Sequence, residues 1–124
     1  MIKEHDDAFE IIATALSVAS FQSDSFSTQF DFHSPEAKWT LRIEGNFAVS
    51  RRTDQSIPTP LLTDLLGEFV LSLHARKSDG ELELRFTHDW ILRVASDADY
   101  EAWEISSSEG ERLVAVPGDG VARW

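Results

Sequence analysis

The stretch "ELELRFTHDWILRV", residues 81–94, decides the fold. Leu82, Leu84 and Phe86 alternate with polar residues, and so do Trp90, Leu92 and Val94. A side-chain period of two belongs to a β-strand with one face buried and the other in water. The two runs follow closely and read as neighbours in an antiparallel meander.

The same pattern recurs upstream. "WTLRI" lines up Trp39, Leu41 and Ile43, and "FSTQF" pairs Phe26 with Phe30. The order of features also repeats. "ALSV" at 15–18 echoes "VLSL" at 70–73, and Ser-Asp follows at 23–24 and again at 78–79. Phe26-x-Thr28-x-Phe30 then echoes Leu82-x-Leu84-x-Phe86, and the Trp39 run echoes the Trp90 run. Two duplicated three-stranded meanders are expected.

Between them lies "IPTPLLTDLLGE". Thr59 suits a cap and Pro60 the first helical position. Leu61, Leu62, Leu65 and Leu66 form an apolar stripe, and Gly67 suits the stop. One short helix is expected near 60–66. Residues 4–10 also admit a helical turn.

Downstream, Trp103 and Ile105 alternate, "RLVAV" follows at 112–116, and "GDG" at 118–120 turns the chain back into "VARW". This C-terminal hairpin should bring Trp124 onto the core as a plug, since a large aromatic buries about 150–250 Å². The expected whole is one domain over residues 1–124. It is mainly β (α+β by strict count), closed as a sandwich or a small barrel.

The chain has 124 residues and a net charge of −11, from 22 acids and 11 bases. That length buries a core of its own without a metal or disulfide. The charge repels nucleic acid and anionic membranes and suits a basic protein partner. Acidity also serves solubility alone. It is uneven: residues 38–52 hold four bases and one acid. There is no Cys, so thiol chemistry, disulfides and Cys-based zinc sites are out. "MIKEHDDAFEI" lacks the basic start and apolar run of a secretory signal, so a cytoplasmic location is expected.

The C-terminal features carry a resemblance. Tyr100-Glu101-Ala102-Trp103, then Pro117-Gly118 and a final Ala122-x-Trp124, are similar to the ending of a family of small bacterial proteins of unassigned activity. Asp119 stands where that pattern has Gly. The resemblance covers residues 67–124. It implies a small β-rich domain and no activity, cofactor or ligand set.

Chemistry is sparse. His5, His33, His74 and His88 show no metal-binding spacing. His33 and His88 fall at equivalent strand ends, where solvated histidines are the simpler reading than a metal held with Asp31 or Asp89. Asp97, Asp99 and Glu101 alternate as in a calcium loop but lack its Gly and distal Glu. No nucleophile turn or phosphate loop occurs, so no catalytic residue, metal or cofactor is assigned.

The most site-like group is Tyr100 and Trp103 among Asp97, Asp99, Glu101 and Glu104. Aromatics ringed by acids hold cations and arginines. Trp103, in strand with Ile105, reads as core, which leaves Tyr100 as the exposed member. Residues 96–111 carry six acids and no base. The expectation is a non-catalytic protein-binding module, in the manner of an immunity protein masking a basic partner. A ligand-binding β-barrel is the alternative, a carboxylate enzyme comes third, and a homodimer is compatible with all three.

Overall fold

A computed structural model describes residues 1–51 and 61–124. Among these described residues, twelve strands form two six-stranded sheets. The first runs β1 (Ile2–Glu4), β2 (Ala8–Ile11), β7 (Val70–Arg76), β8 (Leu82–Phe86), β9 (Trp90–Val94), β6 (Ala48–Arg51). The second runs β12 (Val121–Arg123), β11 (Arg112–Ala115), β10 (Trp103–Ser107), β5 (Lys38–Glu44), β4 (Ser27–His33), β3 (Ser17–Ser23). Every pairing between these strands is antiparallel.

Alternation sets the layers. Phe30, Phe32, Trp39, Leu41, Ile43, Trp103 and Ile105 from the second sheet join Leu73, Leu82, Leu84, Phe86, Trp90, Leu92 and Val94 from the first in one core. The two sheets are therefore the layers of a sandwich, each with its polar side chains outward. Neither sheet closes into a barrel.

The two expected meanders are β3–β4–β5 and β7–β8–β9, one in each sheet. Their correspondence is slipped by two residues from the sequence echo. Leu41 lies opposite Phe30, and Leu92 lies opposite Leu84. Thr28-x-Phe30-x-Phe32 therefore matches Leu82-x-Leu84-x-Phe86. Phe26 is outside the strand, in the turn before it, and does not share a buried face with Phe30. The leading strands match too. Val18 opposes Phe32 and Val70 opposes Phe86, and each is followed by a bulge before a serine.

The helix near 60–66 is only a 3-10 turn over Leu62–Leu65. Leu65 is fully buried, while Leu61 and Leu66 are exposed, so no two-turn apolar stripe forms. Asp64 closes the turn by accepting from the Leu61 N–H at 3.0 Å. The Thr59 cap and Pro60 start lie outside the described residues. Residues 4–10 form the β1–β2 hairpin rather than a helical turn. Among the described residues, no helix is long and apolar enough to cross a membrane.

Trp124 does not plug the core: it is 71% exposed. Its N–H donates to the Arg112 carbonyl at 2.9 Å, and the Arg112 guanidinium lies 5.7 Å from its ring centre. The physical reason is alternation. Trp124 shares the face of Ala122, opposite Val114, on the outer side of the sheet with Glu104 and Arg112.

Candidate recognition site

β10 sits inside the second sheet, between β5 and β11. Trp103 points inward and its indole N–H donates to the Gly80 carbonyl at 2.8 Å, which ties the β7–β8 hairpin to the other sheet. The strand period then turns Glu104 outward, opposite Arg42 of β5. Ala102 is buried, so Tyr100 and Glu101 emerge where the chain enters the strand.

A second segment comes from far upstream. Asp24 accepts from the N–H groups of Phe26 and Ser27, each at 2.8 Å. This side-chain-to-backbone turn throws the Phe26 ring outward, 81% exposed. The Phe26 carbonyl accepts from Gly45 at 3.1 Å. Gly45 has φ +86°, and a Cβ there would lie 2.6 Å from the Tyr100 hydroxyl. The Tyr100 ring thus rests across bare glycine backbone, 43% exposed.

Together these residues make a cleft of about 470 Å³. Of the six residues singled out in the sequence, Tyr100, Glu101, Trp103 and Glu104 line it. Trp103 is its floor and is only 1% exposed. Asp97 and Asp99 lie in the adjoining loop, where the Asp97 carboxylate accepts from the Asp99 N–H at 2.8 Å. The sequence reading missed Phe26, Arg42, Glu44 and Gly45, which complete the lining. The Ser-Asp-Ser turn at 23–25 was the available signal for Phe26.

The acids of the 96–111 tract do not act as one body. Glu104 pairs with Arg112 at 3.0 Å, so a base just beyond the tract does compensate part of it. Glu111 accepts from the Ile2 N–H at 2.6 Å and lies 3.9 Å from the N-terminal ammonium. Glu109 and Glu111 follow β10, whereas Asp97, Asp99 and Glu101 precede it. The strand separates the two groups.

The fold replaces that tract with a different cluster. The Lys77 N–H donates to the Asp7 carbonyl at 2.9 Å, and the Gly118 N–H to the Asp97 carbonyl at 3.3 Å. Gly80 and Gly120 bring the β7–β8 and β11–β12 turns into backbone contact: a Cβ on Gly80 would lie 2.9 Å from the Gly120 carbonyl oxygen. Asp6, Asp7, Asp79, Asp97, Asp99 and Asp119 therefore gather at one end of the sandwich, with Glu101 at its rim. The bases nearest them, Arg76 and Lys77, are engaged by Asp79 at 2.5 Å and Glu4 at 2.7 Å. The Arg76 hydrogen bond holds the Asp79 carboxyl down to about 2.

The histidines lie elsewhere. His5 and His74 approach the two oxygens of Glu10 at 2.9 and 3.4 Å, and the His5 hydrogen bond is the main cause keeping Glu10 below the usual carboxylate range. His88 lies 2.8 Å from Glu68. Burial pushes the Glu68 carboxyl up, but its bonds to His88 and Thr87 more than reverse this. Among the described residues, no group of three His, Asp or Glu converges as metal ligands.

The architecture and the cleft define a β-sandwich with an acidic, aromatic-edged end. Residues 15–124 match the model of a family described as "Family of unknown function (DUF6188)", and the chain belongs to it. No curated protein matches the chain, and no solved structure does.

Proposed function

We propose that the chain is a non-catalytic protein-binding module that receives a basic partner on its acidic end, as an immunity protein masks a basic toxin. One observation supports this above others. Phe26 and Tyr100 stand exposed at the cleft beside Glu101, next to the aspartate-rich turns. Aromatics supply contact area that excludes water, and surplus charge of one sign speeds encounter with the opposite sign. The interior offers less: Trp39, Trp103, Phe30, Phe32 and Phe86 fill the space between the sheets, which disfavours the ligand-barrel reading. A cytoplasmic setting fits this role.

The test is an association-rate series against salt, using the partner obtained by pull-down from the native host. Rates should fall steeply as ionic strength rises, because screening sets in over about 8 Å at physiological salt. Asp99→Lys together with Glu101→Lys should slow association while leaving the fold intact, since both side chains are exposed in the loop before β10. A rate indifferent to salt and to both reversals would overturn the proposal.

A further inference from the structure

Resting on that reading, we infer that the Phe26–Tyr100 cleft is the seat of a single arginine side chain of the basic partner. Among the described residues, one carboxylate of the lining pairs with no base. Glu44 lies 3.5 Å from Arg42, and Glu104 lies 3.0 Å from Arg112. Glu101 is exposed at the mouth. The lining carries three carboxylates, and Arg42 and Arg112 engage two of them, which leaves Glu101 for one more cation.

The shape selects which cation. Phe26 offers a ring held outward by the Asp24 turn, and Tyr100 offers a half-exposed ring whose hydroxyl end is seated against Gly45. A guanidinium is planar and weakly hydrated. It stacks on such faces while its edge donates in parallel to a carboxylate. An ammonium is strongly hydrated, presents no plane, and pairs only as a point charge. The chain already uses guanidinium stacking: Arg112 lies over Trp124, and Arg51 lies 5.3 Å from the Trp90 ring centre. The cleft offers the same elements, two exposed rings beside a carboxylate.

Tyr100 is the chain's one tyrosine, so its ring resonances report the cleft without ambiguity. The probe is acetyl-Gly-Arg-Gly-amide, titrated against the full chain and followed by NMR. Its lysine and citrulline counterparts are titrated in parallel. The arginine peptide should shift the Tyr100 and Phe26 rings saturably, with a dissociation constant roughly in the millimolar range that suits one anchor. The lysine peptide should bind several-fold more weakly. Citrulline, which keeps the shape and loses the charge, should leave the rings unmoved. Glu101→Gln and Phe26→Ala should each weaken the arginine peptide by about tenfold, the order expected of one charged or stacking contact. Both side chains are exposed, so both variants keep the fold.

Equal binding of lysine and arginine, or an arginine affinity unchanged by Glu101→Gln, overturns the assignment. Polylysine added to the same sample separates this failure from that of the wider reading. Salt-sensitive association with polylysine, without any arginine effect at the rings, leaves the acidic end as a docking surface and removes the arginine seat. Indifference to both peptides and to polylysine removes both.

Discussion

Val18 and Val70 each donate a main-chain hydrogen bond to the other's segment, across the corner where the two sheets meet. The Val18 N–H donates to the Glu68 carbonyl at 3.0 Å, and the Val70 N–H donates to the Leu16 carbonyl at 2.7 Å. Between them Ser17 and Phe69 face each other in an antiparallel bridge. Val18 and Val70 are equivalent positions of the two meanders, each just before a bulge. The sandwich is thus stitched by main-chain hydrogen bonds as well as by its core.

That equivalence has a backbone test. Ala15 and Gly67 both precede their valine by three residues, and both have positive φ, at 48° and 80°. The left-handed region costs a non-glycine residue about 1–2 kcal/mol. Ala15→Gly should stabilise by up to about 1 kcal/mol, and Gly67→Ala should destabilise by about 1 kcal/mol, with nothing near Gly67 for a Cβ to strike. Urea midpoints for the two variants should move in opposite directions.

The two C-terminal tryptophans should differ sharply. Trp103→Ala removes a buried ring and strips the Gly80 carbonyl of its donor, for a loss of about 3–5 kcal/mol. Trp124→Ala removes an exposed ring stacked on Arg112, worth at most about 1 kcal/mol. Equal midpoint shifts in chemical denaturation would contradict the placement of Trp124.

The β7–β8 and β11–β12 turns should not tolerate a side chain at their junction. A Cβ at Gly120 would collide with the Lys77 carbonyl oxygen, and φ there is +75°. Gly120→Ala should cost at least about 2 kcal/mol, combining overpacking with left-handed strain. It should also disperse the aspartate cluster, read as a weaker salt dependence of partner association.

Acid should act through Asp79. Its carboxyl titrates near 3.8 when unfolded and is held at about 2 by Arg76 when folded. The stability it supplies is complete above the higher value and is lost as pH falls through the lower one. The midpoint gap between the natural chain and Asp79→Asn should therefore stay constant from neutral pH down to about 5 and then close toward pH 2. A gap that persists at pH 2 would show that Arg76 does not set this pKa.

Glu101 and Glu104 should respond differently to charge reversal. Glu101→Lys changes an exposed loop and should leave stability within about 0.5 kcal/mol. Glu104→Lys sets a cation against Arg112, whose Nε is already buried without a partner, and should cost about 1 kcal/mol. Thermal melts of the two variants decide it.

The strand faces were legible because alternation is local. Leu82-Leu84-Phe86 and Trp90-Leu92-Val94 need no partner to declare themselves, and the structure buries all six. The echo slipped by two because "FSTQF" has the right period one turn too early: Phe26 is claimed by the Asp24 turn, and Phe32 takes its place in the core. The helix failed because four leucines at helical spacing are also what a 3-10 turn with one buried residue looks like. Within the site, Tyr100, Glu101 and Glu104 were legible as a local cluster. Phe26 and Gly45 were not, because only the pairing of β10 with β5 brings them beside residue 100. The gathering of Asp6, Asp7 and Asp119 near Asp97 was equally hidden, since sequence distance says nothing about which turns share an end.

The cleft draws its walls from segments far apart in the sequence, with Phe26 and Gly45 on one side and Tyr100 on the other. During synthesis the chain emerges N-terminus first. β5 must therefore wait at the growing sheet's margin, its inner partner strand still unmade, while β6 to β9 of the other sheet are translated. On the proposed reading, recognition is thus deferred until β10 has been made: a nascent chain lacking β10 has no cleft to show a partner.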